Sequence, residues 1–535
     1  MRALPAARVA AFILGPSILC VMLVHLLAAV SPYDDAYIIF RYVDNFLEGR
    51  GAVYNTGERV LGVSCPLYPV WLALLRSALP GVDLPTLAVR SNGLVLAAAG
   101  VLVHLLLRRL GFGPAASALA GSAAILSDEV LRPSIAGMES SLFLALLFGT
   151  LWALACGRDA TAILLGSLSA LARPEGMVVL AVVVAARYLD PATGGPRMRP
   201  LLGALPLVLW TAGATAYYGT PIPHSVIAKA SGLYPLPPGT AIVDLTARLG
   251  GIVVDGGAAA AKKLTGLGAA GVFPEESVPR WPWVILGIAL LAWTFARWWR
   301  ISGDGRRPRA LALPACLLLV LAFYALSNPL LMPWYIPLVY APAVVAVVAV
   351  AAACLGPEEG GPLRRAGKAF LLSLVLTTVL VSLVFHLRPS KWSLMTHGAT
   401  NADAAERMAA YRRTAGWIET HSDASDSVAA PEIGVLGYLL DRRMLDACGL
   451  VTPEALAYFP IPYEQRGDQP GVISVEFVRG TTPDFVVTLP VHASRSLLVS
   501  PWFASSYEKV HDEPCLSGDA RYSSVLVFRR RGWRQ

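Results

Sequence analysis

Long apolar runs alternate with short polar breaks along most of this chain, and the pattern stops near residue 388. A helix needs about 20 mostly apolar residues to cross a bilayer. By that measure, spans fall near 9–30, 87–107, 113–127, 139–156, 160–172, 176–189, 200–217, 282–299, 310–326, 334–355 and 367–387. Beyond residue 388 the pattern changes. A helix is predicted over 404–420 and strands over 427–430, 444–447, 485–489 and 523–528, with helical stretches at 433–440 and 453–458. That alternation predicts a small α/β domain. The reading is therefore a polytopic α-helical membrane protein, with a membrane domain over 1–388 and a soluble α/β domain over 389–535.

Arginines orient the spans. Arg108 and Arg109 follow the second. Arg187, Arg197 and Arg199 surround the sixth and seventh. Arg297, Arg300, Arg306, Arg307 and Arg309 lie between the eighth and ninth, and Arg364, Arg365 and Lys368 precede the last. All fall on the cytoplasmic side if the N-terminus is inside. The apolar stretch from Pro66 to Leu79 would break this order if it crossed, so it reads as a helix in or dipping into the interface. The first apolar run ends on a poor cleavage site and reads as an uncleaved helix. Four segments are then outside: the loop 31–86, the turn 128–138, the loop 218–281 and everything after Arg388.

Composition changes the picture little. The chain is 55% hydrophobic and 15% charged, and its net charge of +8 comes from arginines in short loops. Membrane topology accounts for that charge, so no nucleic-acid partner is expected. No Cys/His spacing resembles a zinc site. Cys448 and Cys515 are candidates for a disulfide if the tail is extracytoplasmic. The concentrated polar chemistry sits in outer loops rather than inside spans. This disfavours a pore or carrier and points to a site at the outer membrane face.

The richest segment is the first outer loop, SPYDDAYIIFRYVDNFLEGRGAVYNTGERVLGVSCPLYP. After Pro32, Ala36, Ile39, Phe40, Val43 and Leu47 recur at helical spacing, an apolar stripe suited to lying on a membrane. Tyr37, Arg41, Asp44 and Glu48 take the other face, and Gly49 and Gly51 end the helix. Asp34 stands near its N-cap. One reading makes Asp34 a cap. The other uses Asp34 and Asp35 together: two acids at a lipid–water boundary can deprotonate a hydroxyl or bind a divalent cation such as Mg, Mn or Ca.

The string DDAYIIFRY, followed by NTGERVLG and PLYP, closely resembles the first outer loop of bacterial GT-C glycosyltransferases. It is nearest to the terminal β-(1→2)-arabinofuranosyltransferases of the AftB type. Further similar strings are IAGMESSLF (135–143), ARPEGM (172–177), GTPIPHSVIAK (219–229), PWYIP (333–337), GVLGYL (434–439), DACGLVTPEA (446–455) and PDFVV (483–487). The resemblance implies a polyprenyl-phosphate-sugar donor, D-arabinofuranose as the sugar and a cell-envelope glycan as acceptor. It also implies a bacterial plasma membrane location and an essential acid, Asp34 or Asp35. A mannose- or hexose-transferring relative is the near alternative. A transporter or flippase of lipid-linked sugars is the distant one.

A lipid phosphate needs cations. The outer-side candidates for the donor phosphate and sugar are Arg41, Arg59, Arg132, Arg173, His224 and Lys229, with Glu139 and Tyr335. Several have a plain structural alternative. Arg173 can pair with Glu175, Glu139 can serve a helix N-terminus, and Tyr335 can belong to an aromatic belt. Glu432, Tyr438 and Asp446 read as packing residues of the tail, with contact to the acceptor as the alternative for Asp446.

Overall fold

The computed structural model describes residues 6–28, 30–190, 198–250, 252, 281–301, 307–354, 399–467, 469, 471–515 and 520–533. The chain packs as two compact units. The first is Met1–Val30, Thr86–Leu209 and Pro237–Thr396. The second is Ser31–Pro85, Trp210–Leu236 and His397–Gln535.

Among the described residues, five helices are long and apolar enough to cross a membrane: Arg8–Leu27, Leu84–Arg109, Arg199–Tyr218, Trp281–Ile301 and Pro337–Cys354. Five shorter apolar helices accompany them: Pro114–Leu126, Ser140–Ala155, Asp159–Ala172, Gly176–Leu189 and Ala312–Ser327. They match the expected spans in order. The last expected span, 367–387, lies outside the described residues. Phe12, Leu19, Val208, Leu209, Ile285 and Ile288 are exposed on these helices. So much bare apolar surface suits lipid, not water. The chain is a polytopic helical membrane protein.

The second unit is built on a five-stranded sheet of order β2-β1-β3-β5-β4. Its strands are β1 (Ser427–Ala430), β2 (Arg443–Asp446), β3 (Phe485–Thr488), β4 (Tyr507–Pro514) and β5 (Ser524–Arg530). β1 runs parallel to β2 and β3, while β5 runs antiparallel to β3 and β4. The FVVT of β3 is buried throughout, as an inner strand with both faces covered should be. Phe477, Val478, Val486, Phe503 and Phe528 form part of the core. Sequence reasoning missed β4. Its YEKVHDEP is charged because it is an edge strand, where charge blocks pairing with another chain.

The first outer loop belongs to this second unit. Its helix Asp34–Leu47 corrects the expectation of a membrane-lying stripe. Ala36, Ile39, Phe40 and Val43 are buried, but so are Tyr37 and Arg41 from the face expected to be polar. Phe46 and Leu47 are exposed near the C-terminal end. The stripe packs on a short tail helix, Gly434–Leu439. Tyr438 of that helix meets Tyr37 and Phe40 at ring distances of 5.4 and 6.0 Å. A helical period says which residues share a face. It cannot say whether lipid or a domain 400 residues away, the separation between Asp34 and Gly434, covers that face.

Candidate active site in the loop–tail unit

Asp34 opens the loop helix, whose N-cap is Tyr33 with no side-chain capping bond. Its carboxylate serves another helix instead. The N–H of Gly434 donates to Oδ2 at 2.9 Å and that of Val435 to Oδ1 at 2.8 Å. These are two of the donors a helix leaves open at its N-terminus. Two turns along, Arg41 closes the other end. Its guanidinium donates to the carbonyls of Gly437, Leu440 (3.3 Å), Arg442 (2.8 Å) and Tyr54 (2.7 Å), and lies over the Tyr54 ring. One helix therefore holds both ends of a six-residue helix.

The clamp explains the glycines of GVLGYL. A Cβ on Gly434 would collide with Asp34, and one on Gly437 with the Tyr54 hydroxyl. Tyr54 also donates to the Ile433 carbonyl at 2.7 Å. Next to it, Asn55 pairs with the Met444 backbone in both directions, at 2.9 and 3.0 Å, and so mimics a strand on the open edge of β2.

Asp34 is half-buried. Burial, with the negative charges of Glu432 and Asp35, pushes its carboxyl up to about 7, against the pull of the two backbone N–H groups. Half-buried Asp35 faces Asp446 electrostatically. Asp446 is fully buried. It accepts from the N–H groups of Cys448 (2.8 Å), Leu450 (2.5 Å) and Val451 (3.2 Å), which fixes the loop after β2. Burial first, and Asp35 last, raise its carboxyl to about 6. His224 starts the short helix His224–Ala230 and reaches this loop: its Nδ1 donates to the Gly449 carbonyl at 2.7 Å. Lys229 is half-buried in the last turn of that helix. Exposed Arg59 lies over the Tyr217 ring at 4.8 Å.

Three of the four other candidates come together in the first unit. Arg173 donates to both oxygens of Glu175 (3.1 and 3.2 Å) and to Glu139, and lies 4.7 Å from the Tyr335 ring centre. Tyr324, which sequence reasoning missed, donates to Glu175 at 2.5 Å. Arg173, Glu139 and Glu175 are all buried. Arg132 pairs with Asp128 one turn away.

A solved structure shares this architecture. ArnT from Cupriavidus metallidurans bound to undecaprenyl phosphate matches with TM-score 0.51 and 12% identity over 97% of each chain. The fold is of the GT-C type. The apo state of the same ArnT gives TM-score 0.49 at 14% identity, over 98% of this chain and 97% of that one. Arabinofuranosyltransferase AftD from Mycobacteria gives 0.47 at 14% identity over 98% of this chain. This chain spans only 39% of AftD. Residues 400–528 match a domain of unknown function, DUF8728. No curated protein matches the sequence.

With the GT-C fold in place, the tail supplies groups that sequence reasoning passed over. Tyr411 and Arg407 stand one turn apart on the helix Ala399–His421. Tyr411 donates to Glu432 at 2.8 Å, and Arg407 pairs with it at 3.6 Å. Arg412 donates to the Tyr37 hydroxyl. The only hint in the sequence was the helical spacing of Arg407 and Tyr411, which any solvated helix can show. Cys448 and Cys515 are both free and buried, so the candidate disulfide is not formed. Among the described residues, no three His, Cys, Asp or Glu side chains stand close enough to hold a metal ion.

Proposed function

We propose that this chain is a GT-C glycosyltransferase that takes a sugar, D-arabinofuranose, from a polyprenyl-phosphate donor and passes it to a cell-envelope glycan. In this reading it sits in a bacterial plasma membrane with its N-terminus inside and the loop–tail unit outside. The observation that carries the proposal is the Asp34 carboxylate. It is held by two backbone N–H groups and its proton affinity is raised toward neutrality. A general base needs both: fixed orientation, and a pKa near the working pH. Each oxygen keeps a lone pair with which to take a proton from an acceptor hydroxyl. Asp35 beside it is a second carboxylate for an acceptor hydroxyl.

The donor class is supported by the fold shared with an ArnT that binds undecaprenyl phosphate. The choice of arabinofuranose rests on the strings around Asp34. Two carboxylates with no third His, Cys, Asp or Glu ligand beside them among the described residues suit a divalent cation poorly. The proposed reaction has no metal step.

The test uses purified protein, a panel of polyprenyl-phosphate sugars and a glycan acceptor. Asp34→Asn should slow transfer by about 10²–10⁴-fold, the range for losing a general base. Near-normal turnover in both Asp34→Asn and Asp35→Asn would sink the assignment. Transfer of a hexose but not arabinofuranose would keep the class and change the sugar.

A further inference from the structure

The sequence offers arginines for a phosphate, and the structure commits two of the buried ones to protein partners. Arg41 bonds four backbone carbonyls. Arg173 donates to two carboxylates through all three of its guanidinium nitrogens, so none is left without a partner. Arg407 differs. Among the described residues its guanidinium makes no hydrogen bond. It has only the 3.6 Å ion pair with Glu432 and a ring contact with Tyr522 at 5.5 Å. Its side chain is 25% exposed, yet its Nε is buried with no acceptor. It also lies within electrostatic reach of Asp34. A half-buried guanidinium with unused donors calls for an oxyanion.

We infer that Arg407, on the first helix of the tail, binds the phosphate of the lipid-linked donor beside Asp34. The inference rests on the transferase reading above. Arg412, on the same helix, donates to Tyr37 one turn beyond Asp34 and lends the site a second positive charge. Glu432 holds Arg407 at ion-pair distance without a hydrogen bond, so a phosphate oxygen can take the open donors. The tail then supplies the electrostatic half of a site whose base lies in the first loop.

The test measures binding to the full chain in nanodiscs by native mass spectrometry. The probes are undecaprenyl phosphate, undecaprenol and inorganic phosphate. Arg407→Gln should weaken undecaprenyl phosphate about tenfold, the scale of one charged hydrogen bond, and leave undecaprenol unchanged. Arg407→Lys should recover part of the loss. Glu432→Gln should tighten undecaprenyl phosphate several-fold, because it removes the competing anion. Displacement of the lipid by inorganic phosphate in the wild type but not in Arg407→Gln would identify the phosphate group alone as the ligand. A lipid effect without such displacement would mean that the chain-linked phosphate is required. Unchanged affinity in Arg407→Gln, equal losses for both lipids, or weaker binding in Glu432→Gln would each overturn the inference. If Asp34→Asn abolishes transfer while Arg407→Gln binds normally, this inference alone fails. If Asp34→Asn stays active, the transferase reading fails first.

Discussion

An acid–arginine cluster in each unit uses the same kinds of side chain differently. In the first unit, Arg173 meets Glu139 and Glu175 in a network whose charged members are all buried. Its arginine is neutralised by carboxylates and its ring platform is occupied. In the second unit, Asp34 is held by backbone N–H groups, and Arg407 keeps donors in reserve. A network in which charges answer one another fixes packing. One in which backbone holds the acid and an arginine stays unspent is equipped to receive something. Charge content alone would have ranked the two clusters equally.

The comparison can be broken most forcefully in the first unit. Arg173→Met leaves two buried carboxylates without their cation and should cost about 3–5 kcal/mol. Thermal unfolding in detergent reads this as a large drop in Tm. A small drop would mean the cluster is not the closed packing device described here. A more discriminating change is Gly434→Ala. It leaves every catalytic candidate in place but drives a methyl into Asp34. The expected loss is about 1–3 kcal/mol, with transfer falling further than stability because the carboxylate loses its setting. Full activity in this variant would separate the clamp from the chemistry.

Acidity sharpens the contrast. In the proposed reaction Asp34 takes a proton only when ionised, so transfer should fall as pH drops through about 7, and Asp34→Asn should lack that limb. Stability should move the opposite way. The folded carboxyl holds its proton up to about 7, while the unfolded one releases it near 3.8. The contribution of Asp34 to stability therefore shrinks as pH rises between those values. Tm measured across that window checks the sign. The smallest effect is expected from reductant. With Cys448 and Cys515 both free, dithiothreitol should leave Tm unchanged.

The sequence was most legible where one physical rule dominates. Apolar run length marked the helices of the bundle, and alternation marked four of the five strands. Asp34 and Asp35 stood out because two adjacent acids beside a span need a reason. The partners of those acids were hidden. Gly434 and Val435 act through backbone N–H groups that every residue owns, so no residue type announces them. Arg41 looked like a phosphate ligand because nothing local shows that four carbonyls lie above it. Arg407 sits on a polar helix where an arginine is unremarkable. Periodicity showed faces, and long-range pairing decided what covered them.

The clamp also bears on how the protein is made. Asp34 is synthesised early, but its two N–H donors lie 400 and 401 residues later. Until those residues are made, the loop helix lacks the partners that in the folded chain hold its acid and pack on its apolar stripe. Only when the last quarter of the chain emerges does the carboxylate acquire its orientation. A product cut short before Gly434 keeps the acid but lacks the two N–H groups that orient it, so its carboxylate is left without its setting.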